Sequence, residues 1–435
     1  MLDQTIRSFL DQPGRDQFNI AVSLDHEPSF TDVKRVTDQI SRDFRLSEPI
    51  PIILKPPETF QRFLHVDKLV DAHVKFAFEL LASSSSEYGV LMEEDIDSSP
   101  DLLELFIEGG QALQRDKSLI CVSGWNQNSV YPIAKDPSKL VRTDTMPTLG
   151  FMMKKTDIKM FLEAWPARLK WTWDWWIRGP PGGRECVSPE LSRTHHIGSD
   201  GVHVKDNGPY ERMAASKLPA GLGTFSGGLP SVDLDRYDTE LKARLQGAVF
   251  VKSEIGLAMD YDPPANSKLW ILTPREYGDR QRVLSPKLFA WNTFRMRHRG
   301  LIELRFYDRN STVFLIDDKA GVEWIPEDMR YLLEPPNMRK VVADYGQSCA
   351  EACGAPEWDF PNRCAAEYFY HVNNFPALRK AFECNTCKLK DEQTVKNRGF
   401  AYFDASSGVC INTKVGGFDC SVKFSDSRLL CPCYA

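Results

Sequence analysis

No stretch of this 435-residue chain holds the ~20 consecutive apolar residues that a membrane-spanning helix needs, so nothing in it reads as a transmembrane segment. Long basic runs interleaved with aromatics are missing too, and the net charge is −6, which leaves nothing suited to a nucleic-acid backbone. The N-terminus, MLDQTIRSFLDQ, is amphipathic and polar and lacks the apolar core of a signal peptide. Internal repeats and low-complexity tracts are absent, which excludes solenoids and extended disorder. Cysteine is scarce through the first 340 residues, where only Cys121 and Cys186 occur.

What is present starts with the other nine cysteines, all between Cys349 and Cys433. That density reads as a disulfide-stapled module made in an oxidising compartment. Zinc competes as an explanation, because Cys384 and Cys387 have ligand-like spacing and Cys431 and Cys433 could complete the set. Nine is odd, so one thiol is free or pairs outside the module. Asn310-Ser311-Thr312 is a glycosylation sequon, in keeping with secretion.

With 42% apolar and 11% aromatic residues, the chain can build large cores in two or three domains. Strands are expected over Phe18–Leu24, Ile50–Leu54, Tyr88–Met92 and Ser118–Ser123, and helices over Phe30–Phe44 and Phe63–Leu81 and from Pro100. Such alternation predicts an α/β fold with a mixed, mostly parallel sheet covered on both faces. From Trp165 to Gly198 the tryptophans, the Gly-Pro-Pro-Gly-Gly turn and the Ser/Thr/His segment read as an active-site insertion. A mobile loop is expected early in Ser199–Ser231, a helix over Tyr237–Ala248, and strands at Leu269–Thr273 and Leu301–Ile316. The domains expected are a catalytic part at 1–235, its C-terminal portion at 236–325, a linker at 326–344 and the cysteine-rich module at 345–435.

Chemistry concentrates first at Glu93-Glu94-Asp95, three carboxylates directly after an apolar strand. Burying anions costs several kcal/mol without compensation, so a hard cation bound to a phosphate is the economical partner; the alternative is a solvated acidic turn. Asp174 lies among Trp171, Trp173, Trp175 and Trp176. Desolvation there would favour a general base, and tryptophan faces suit sugar rings; against this, Asp174 could pair with Arg178 four residues on in a core helix. His195, His196 and His203 suit phosphate contact as well as metal, or a plain surface role, and Arg184 after two glycines could approach a pyrophosphate.

Five stretches taken in order resemble the inverting β-1,2-N-acetylglucosaminyltransferases, the family that includes N-acetylglucosaminyltransferase I and the protein O-mannose β-1,2-N-acetylglucosaminyltransferase. They are Glu93–Ile96, Cys121–Asn126, Arg142–Gly150, Trp173–Arg178 and Gly183–Thr194, within a likeness running from about residue 18 to 316. The resemblance implies a GT-A fold that uses a UDP-sugar and a divalent cation, usually Mn2+. It puts the metal on Asp95 and the nucleoside side on Glu93 and Glu94, with Asp25 and His73 as nucleotide neighbours. Leu149, Trp173 and Arg184 would line the sugar and diphosphate pocket, with His203 near the diphosphate. Asp174 would be the catalytic base, and Cys121–Cys186 a family disulfide. A loop around Ser199–Gly208 would close over the donor.

This sequence departs from the family pattern in three places. The family's first strand, which carries an arginine, precedes the point where this chain starts, and with it the membrane anchor expected of a Golgi enzyme; His203 stands where the family has a serine; and Trp175 replaces an acidic or small residue beside the base. Gly346–Cys353 and Arg428–Cys433 are similar to the cysteine-rich end of N-acetylglucosaminyltransferase V, so residues 345–435 are expected to bind an acceptor glycoprotein or a partner. The implied activity is transfer of GlcNAc from UDP-GlcNAc to a terminal mannose of a glycoprotein glycan in the Golgi lumen, N-linked in preference to O-mannosyl. The alternatives are another UDP-sugar or acceptor, or a weakly catalytic carbohydrate-binding protein. Two carboxylates, Asp95 and Asp174, are what separate an enzyme from that last possibility.

Overall fold

The computed structural model describes residues 1–25, 27–56, 66–129, 134–170, 172–179, 181–198, 223–250, 265–273, 295–305, 310–317, 320–327, 337–354, 363–373, 375–384, 386–390, 401–413 and 419–434. The chain forms two compact units, Met1–Arg244 with Phe289–Arg299, and Leu245–Leu288 with Gly300–Ala435. A short segment, Phe289–Arg299, thus returns to the first unit.

The first unit runs α1 (Leu2–Leu10), β1 (Val22–Leu24), α2 (Phe30–Asp43), β2 (Ile52–Leu54), α3 (Val66–Ser83), β3 (Tyr88–Leu91), β4 (Ile96–Ser98), α4 (Leu102–Arg115) and β5 (Leu119–Ser123). It continues through β6 (Leu140–Thr143), β7 (Phe151–Lys154), α5 (Lys155–Ala164), α6 (Trp173–Ile177), β8 (Glu185–Pro189), β9 (Thr194–His196) and α7 (Leu234–Leu245). The central sheet has the order β3-β7-β5-β8-β6. Only β5 and β8 pair in parallel; the other three pairings are antiparallel. The expectation of a mostly parallel sheet is corrected on this point, because β7, entered through the left-handed Gly150, inserts between β3 and β5. Strands β1 and β2 form a separate parallel pair.

Three layers follow from the burial pattern. On one face, Leu102, Phe106 and Leu113 of α4 pack on Val122, Met152 and Val187. On the other, Phe78 of α3 and Ile158 and Phe161 of α5 pack on Ile120, Phe151 and Met153. Gly109 lets α4 lie close to the sheet, since a Cβ there would stand 2.7 Å from Val122. The Trp165–Gly198 segment is not wholly an insertion: it supplies β8, buried along its whole length between β5 and β6. Cys121 and Cys186 stand opposite each other on β5 and β8 and form the disulfide that the resemblance implied.

In the second unit, β10 (Val249–Phe250), β11 (Lys268–Thr273), β12 (Leu301–Arg305) and β13 (Thr312–Asp317) form a sheet in the order β10-β11-β13-β12. Leu301–Ile316 is thus a hairpin-like antiparallel pair instead of one strand. The cysteine-rich part comprises β14 (Met338–Val342), α8 (Cys349–Cys353), β15 (Arg363–Cys364), α9 (Phe375–Phe382), β16 (Cys387–Lys390), β17 (Tyr402–Asp404), β18 (Val409–Thr413) and β19 (Ser427–Tyr434). Disulfides join Cys349–Cys431, Cys353–Cys433, Cys364–Cys420 and Cys384–Cys410. These bonds remove the zinc alternative, because Cys384, Cys431 and Cys433 are all covalently committed. Cys387 is the eleventh cysteine; its side chain lies outside the described residues. No helix among the described residues is long and apolar enough to cross a membrane.

Candidate active site

Strands β3, β5 and β8 point the same way, so their C-terminal ends share one edge of the sheet. Glu93, Glu94 and Asp95 follow β3 at that edge. Antiparallel pairing of β4 with β9 sets Ile96 across from His196, and the Ile197 N–H donates to the Asp95 carbonyl at 2.8 Å. This brings His196 Nε2 to 3.0 Å from Asp95 Oδ2. The hydrogen bond with Asp95 is the largest cause holding His196 above its ordinary value, with the charges of Glu93 and Glu94 adding to it. Asp95 Oδ1 is buried and has no hydrogen-bond partner among the described residues. Gly198 leaves room for this carboxylate: a Cβ there would lie 2.5 Å from Asp95 Oδ2 and 2.9 Å from His196.

Glu93 keeps accessible surface, yet protein surrounds it closely enough that lost hydration is the main cause raising its carboxyl to about 7. The charges of Asp95 and Glu94 push it the same way, and so does that of Asp174. Asp174, separate in sequence from the acidic triplet, is thus within electrostatic reach of Glu93.

Ser23 and His73 share a 2.8 Å hydrogen bond, and His73 Nδ1 lies 3.8 Å from Asp25 Oδ2. Burial holds His73 below its ordinary value, while Asp25 and Glu94 pull it up and Lys55 pushes it down. Asp25, His73 and Glu94 are thereby brought together, with Lys55 as a nearby cation that the sequence reading missed.

Asp174 rides on α6. Asp71 of α3 fixes that short helix by accepting from the Trp173 N–H at 2.7 Å. The Thr172 hydroxyl donates to Asp174 Oδ1, and Arg178 Nη2 donates to Oδ2 at 2.7 Å. The i, i+4 ion pair is present, and the carboxylate is 31% exposed rather than sealed among aromatics. Two of the four tryptophans serve packing. Trp173 is buried in the core, and Trp176 sits against Phe161 and Trp165.

Other expected residues lie elsewhere. Arg184 precedes β8 at the opposite edge of the sheet, with Nη1 2.6 Å from Asp157 Oδ1 and Nη2 donating to the Leu119 carbonyl. The antiparallel and parallel registers put a full strand length between it and Glu93, so a diphosphate role is not carried forward. Leu149 is buried with Ile96 and Trp125 under the acidic turn. His195 pairs across from Asp97 on β9, and His203 and the Ser199–Gly208 loop lie outside the described residues. Much of the motif set is scaffold: Arg142 is buried against Glu185 and Asp116, Arg193 against Asp101, and Asn126 binds the carbonyls of Pro189 and Glu190. The sequence reading also missed Arg295, whose guanidinium lies 5.5 Å from the Trp175 ring centre; its only signal was the basic run Arg295-Met296-Arg297-His298-Arg299.

Among the described residues no group of three or more His, Cys, Asp or Glu side chains is arranged to hold a metal ion. A hard cation that takes most of its oxygens from a bound phosphate needs only one or two carboxylates, and the unsatisfied Oδ1 of Asp95 fits that arrangement. Residues 1–208 match the GNT-I family. The matched segment ends ten residues beyond Gly198 and contains every carboxylate described above. Over 196 residues the chain is 27% identical to the alpha-1,3-mannosyl-glycoprotein 2-beta-N-acetylglucosaminyltransferase of Arabidopsis thaliana, covering 44% of this chain and 40% of that relative. The chain thus spans well under half the length of the relative it matches.

Proposed function

We propose that the protein is an inverting glycosyltransferase that moves GlcNAc from UDP-GlcNAc to the 2-hydroxyl of a terminal mannose on a glycoprotein glycan, N-linked in preference to O-mannosyl. The observation that carries this reading is the acidic turn with its buried, unsatisfied Asp95 oxygen, at which the charge of Asp174 is also felt. The family match over residues 1–208 and the activity named for the plant relative support the choice of reaction. The disulfides agree with a secretory compartment, which we take to be the Golgi lumen.

Asp25, His73 and Glu94 flank the nucleoside in this account, with Glu93 on the ribose side. Asp95 would hold Mn2+, with His196 and Gly198 fixing its carboxylate. When bound, the cation supplies charge neutralisation for a departing diphosphate. Asp174 accepts the proton of the acceptor hydroxyl as that oxygen bonds to the anomeric carbon from the face opposite UDP, and the bond from that carbon to the diphosphate oxygen breaks. One displacement inverts the centre. Thr172 and Arg178 each donate to one Asp174 oxygen and so hold the carboxylate in orientation; each oxygen retains a lone pair for the incoming proton. The test is incubation with a panel of UDP-sugars, Mn2+ and mannose-terminated glycans. UDP release with a β-1,2-linked GlcNAc product is expected, and glycan binding without turnover of any donor would overturn the reading.

A further inference from the structure

Trp175, next to the proposed base, is 54% exposed, but arginines occupy its ring. The Arg178 guanidinium lies 4.1 Å from the ring centre and that of Arg295 lies 5.5 Å away. Cation–π contact holds a guanidinium by its plane and leaves its edge N–H groups for an acceptor. Arg178 gives Nη2 to Asp174, while its Nη1 is buried and has no hydrogen-bond partner among the described residues. Leaving a buried charged donor unsatisfied is costly, so an acceptor oxygen is the missing complement.

Arg295 is held at this spot by the residues after it. Arg297 lies 3.0 Å from Asp144, whose N–H donates to the Arg297 carbonyl at 2.6 Å, and His298 is clamped between Glu185 and Asp238. Met296 and Arg299 both take left-handed backbone conformations, with φ of 66° and 48°, strain that the anchoring contacts must overcome. Burial and the like charge of Arg178 push Arg295 down to about 10. Two guanidiniums are thus kept together against their repulsion beside Asp174.

We propose that Arg178, Arg295 and Trp175 form an anion subsite that takes a carboxylate or phosphate carried by the acceptor near the hydroxyl to be glycosylated. The subsite rests on the reading of Asp174 as the base only for its assignment to the acceptor; its preference for an anion is measurable without turnover. The probes are methyl α-mannoside and its 6-phosphate, titrated by ligand-observed NMR with the protein saturated in UDP and Mn2+, so that the nucleotide's own diphosphate site is filled. A charge-assisted hydrogen bond predicts about tenfold tighter binding of the phosphorylated probe. That preference should fall toward parity in Arg295→Gln and be largely kept in Arg295→Lys. Trp175→Leu, at an exposed position, should weaken it independently should Arg295→Gln fail to fold. Equal binding of the two probes, a preference that survives in folded Arg295→Gln, or one abolished by UDP would overturn the subsite. A retained preference in a protein that transfers no sugar would instead overturn the transferase reading alone.

Discussion

A methyl group at position 198 has no free volume, since its nearest neighbours would be the Asp95 carboxylate and the His196 ring. Both are side-chain ends that can swing away, so Gly198→Ala should fold with little loss of stability yet displace the carboxylate. Mn2+-dependent UDP binding, followed by calorimetry, should weaken at least as far as in Asp95→Asn. Wild-type affinity in Gly198→Ala would show that Asp95 needs no such placement. At this scale the sequence was only partly legible. Glu93–Asp95 stood out because three carboxylates behind an apolar strand demand compensation. Arg184 misled because adjacent glycines say that a backbone can approach something, not what; in the fold its charge is committed to Asp157. The tryptophans misled for a related reason: an aromatic run fits a sugar platform or a core equally well, and contacts with α3 and α5 decide for the core at Trp173 and Trp176.

Among elements, the β8–β9 connection is held by Arg193, whose Nε lies 2.8 Å from both Asp101 oxygens with each side chain fully buried. Removing one partner strands a buried charge, so Arg193→Met should cost about 3–5 kcal/mol in urea unfolding. A loss below 1 kcal/mol would contradict a structural role for this motif. Glu185 on β8 supplies a pH test. Burial raises its carboxyl, but His298 and Arg142 outweigh that and hold it below its ordinary 4.5. Asp116 is likewise raised by burial, and hydrogen bonds from Ser118 and Arg142 bring it below 3.8. A lowered carboxyl stabilises the fold above its unfolded value and stops doing so as pH falls through the folded one. The urea midpoint should therefore drop between pH 5 and pH 3, and Glu185→Gln should be less stable at pH 7 with a shallower acid dependence. Strand β8 escaped the sequence reading because it buries Glu185 and Ser188, so no apolar alternation marks it, and the groups that satisfy Glu185 come from Arg142 and His298, far along the chain.

Across the whole molecule, chemistry and cross-linking are separated. The acidic turn, Asp174 and one disulfide belong to the first unit, and the other four disulfides belong to the second. The spacing of the latter is intelligible: Cys349 and Cys353 share one helical face at i, i+4, Cys431 and Cys433 share one strand face at i, i+2, and the two pairs bond side by side. The clustering in sequence announced the module, whereas the connectivity needed the β14–β19 sheet. Under mild reduction, amide exchange should accelerate in β14, β17 and β19 while β3, β5 and β8 stay protected; uniform loss of protection would contradict two separate cores.

The central claim, that Asp174 is the base of a transferase whose donor is held by the acidic turn, is tested most directly by Asp174→Asn. With UDP-GlcNAc, Mn2+ and a mannose-terminated glycan, the variant should bind UDP-GlcNAc as the wild type does while product formation falls by about 10²–10⁴-fold or more. Transfer near the wild-type rate, with donor binding intact, would contradict the account.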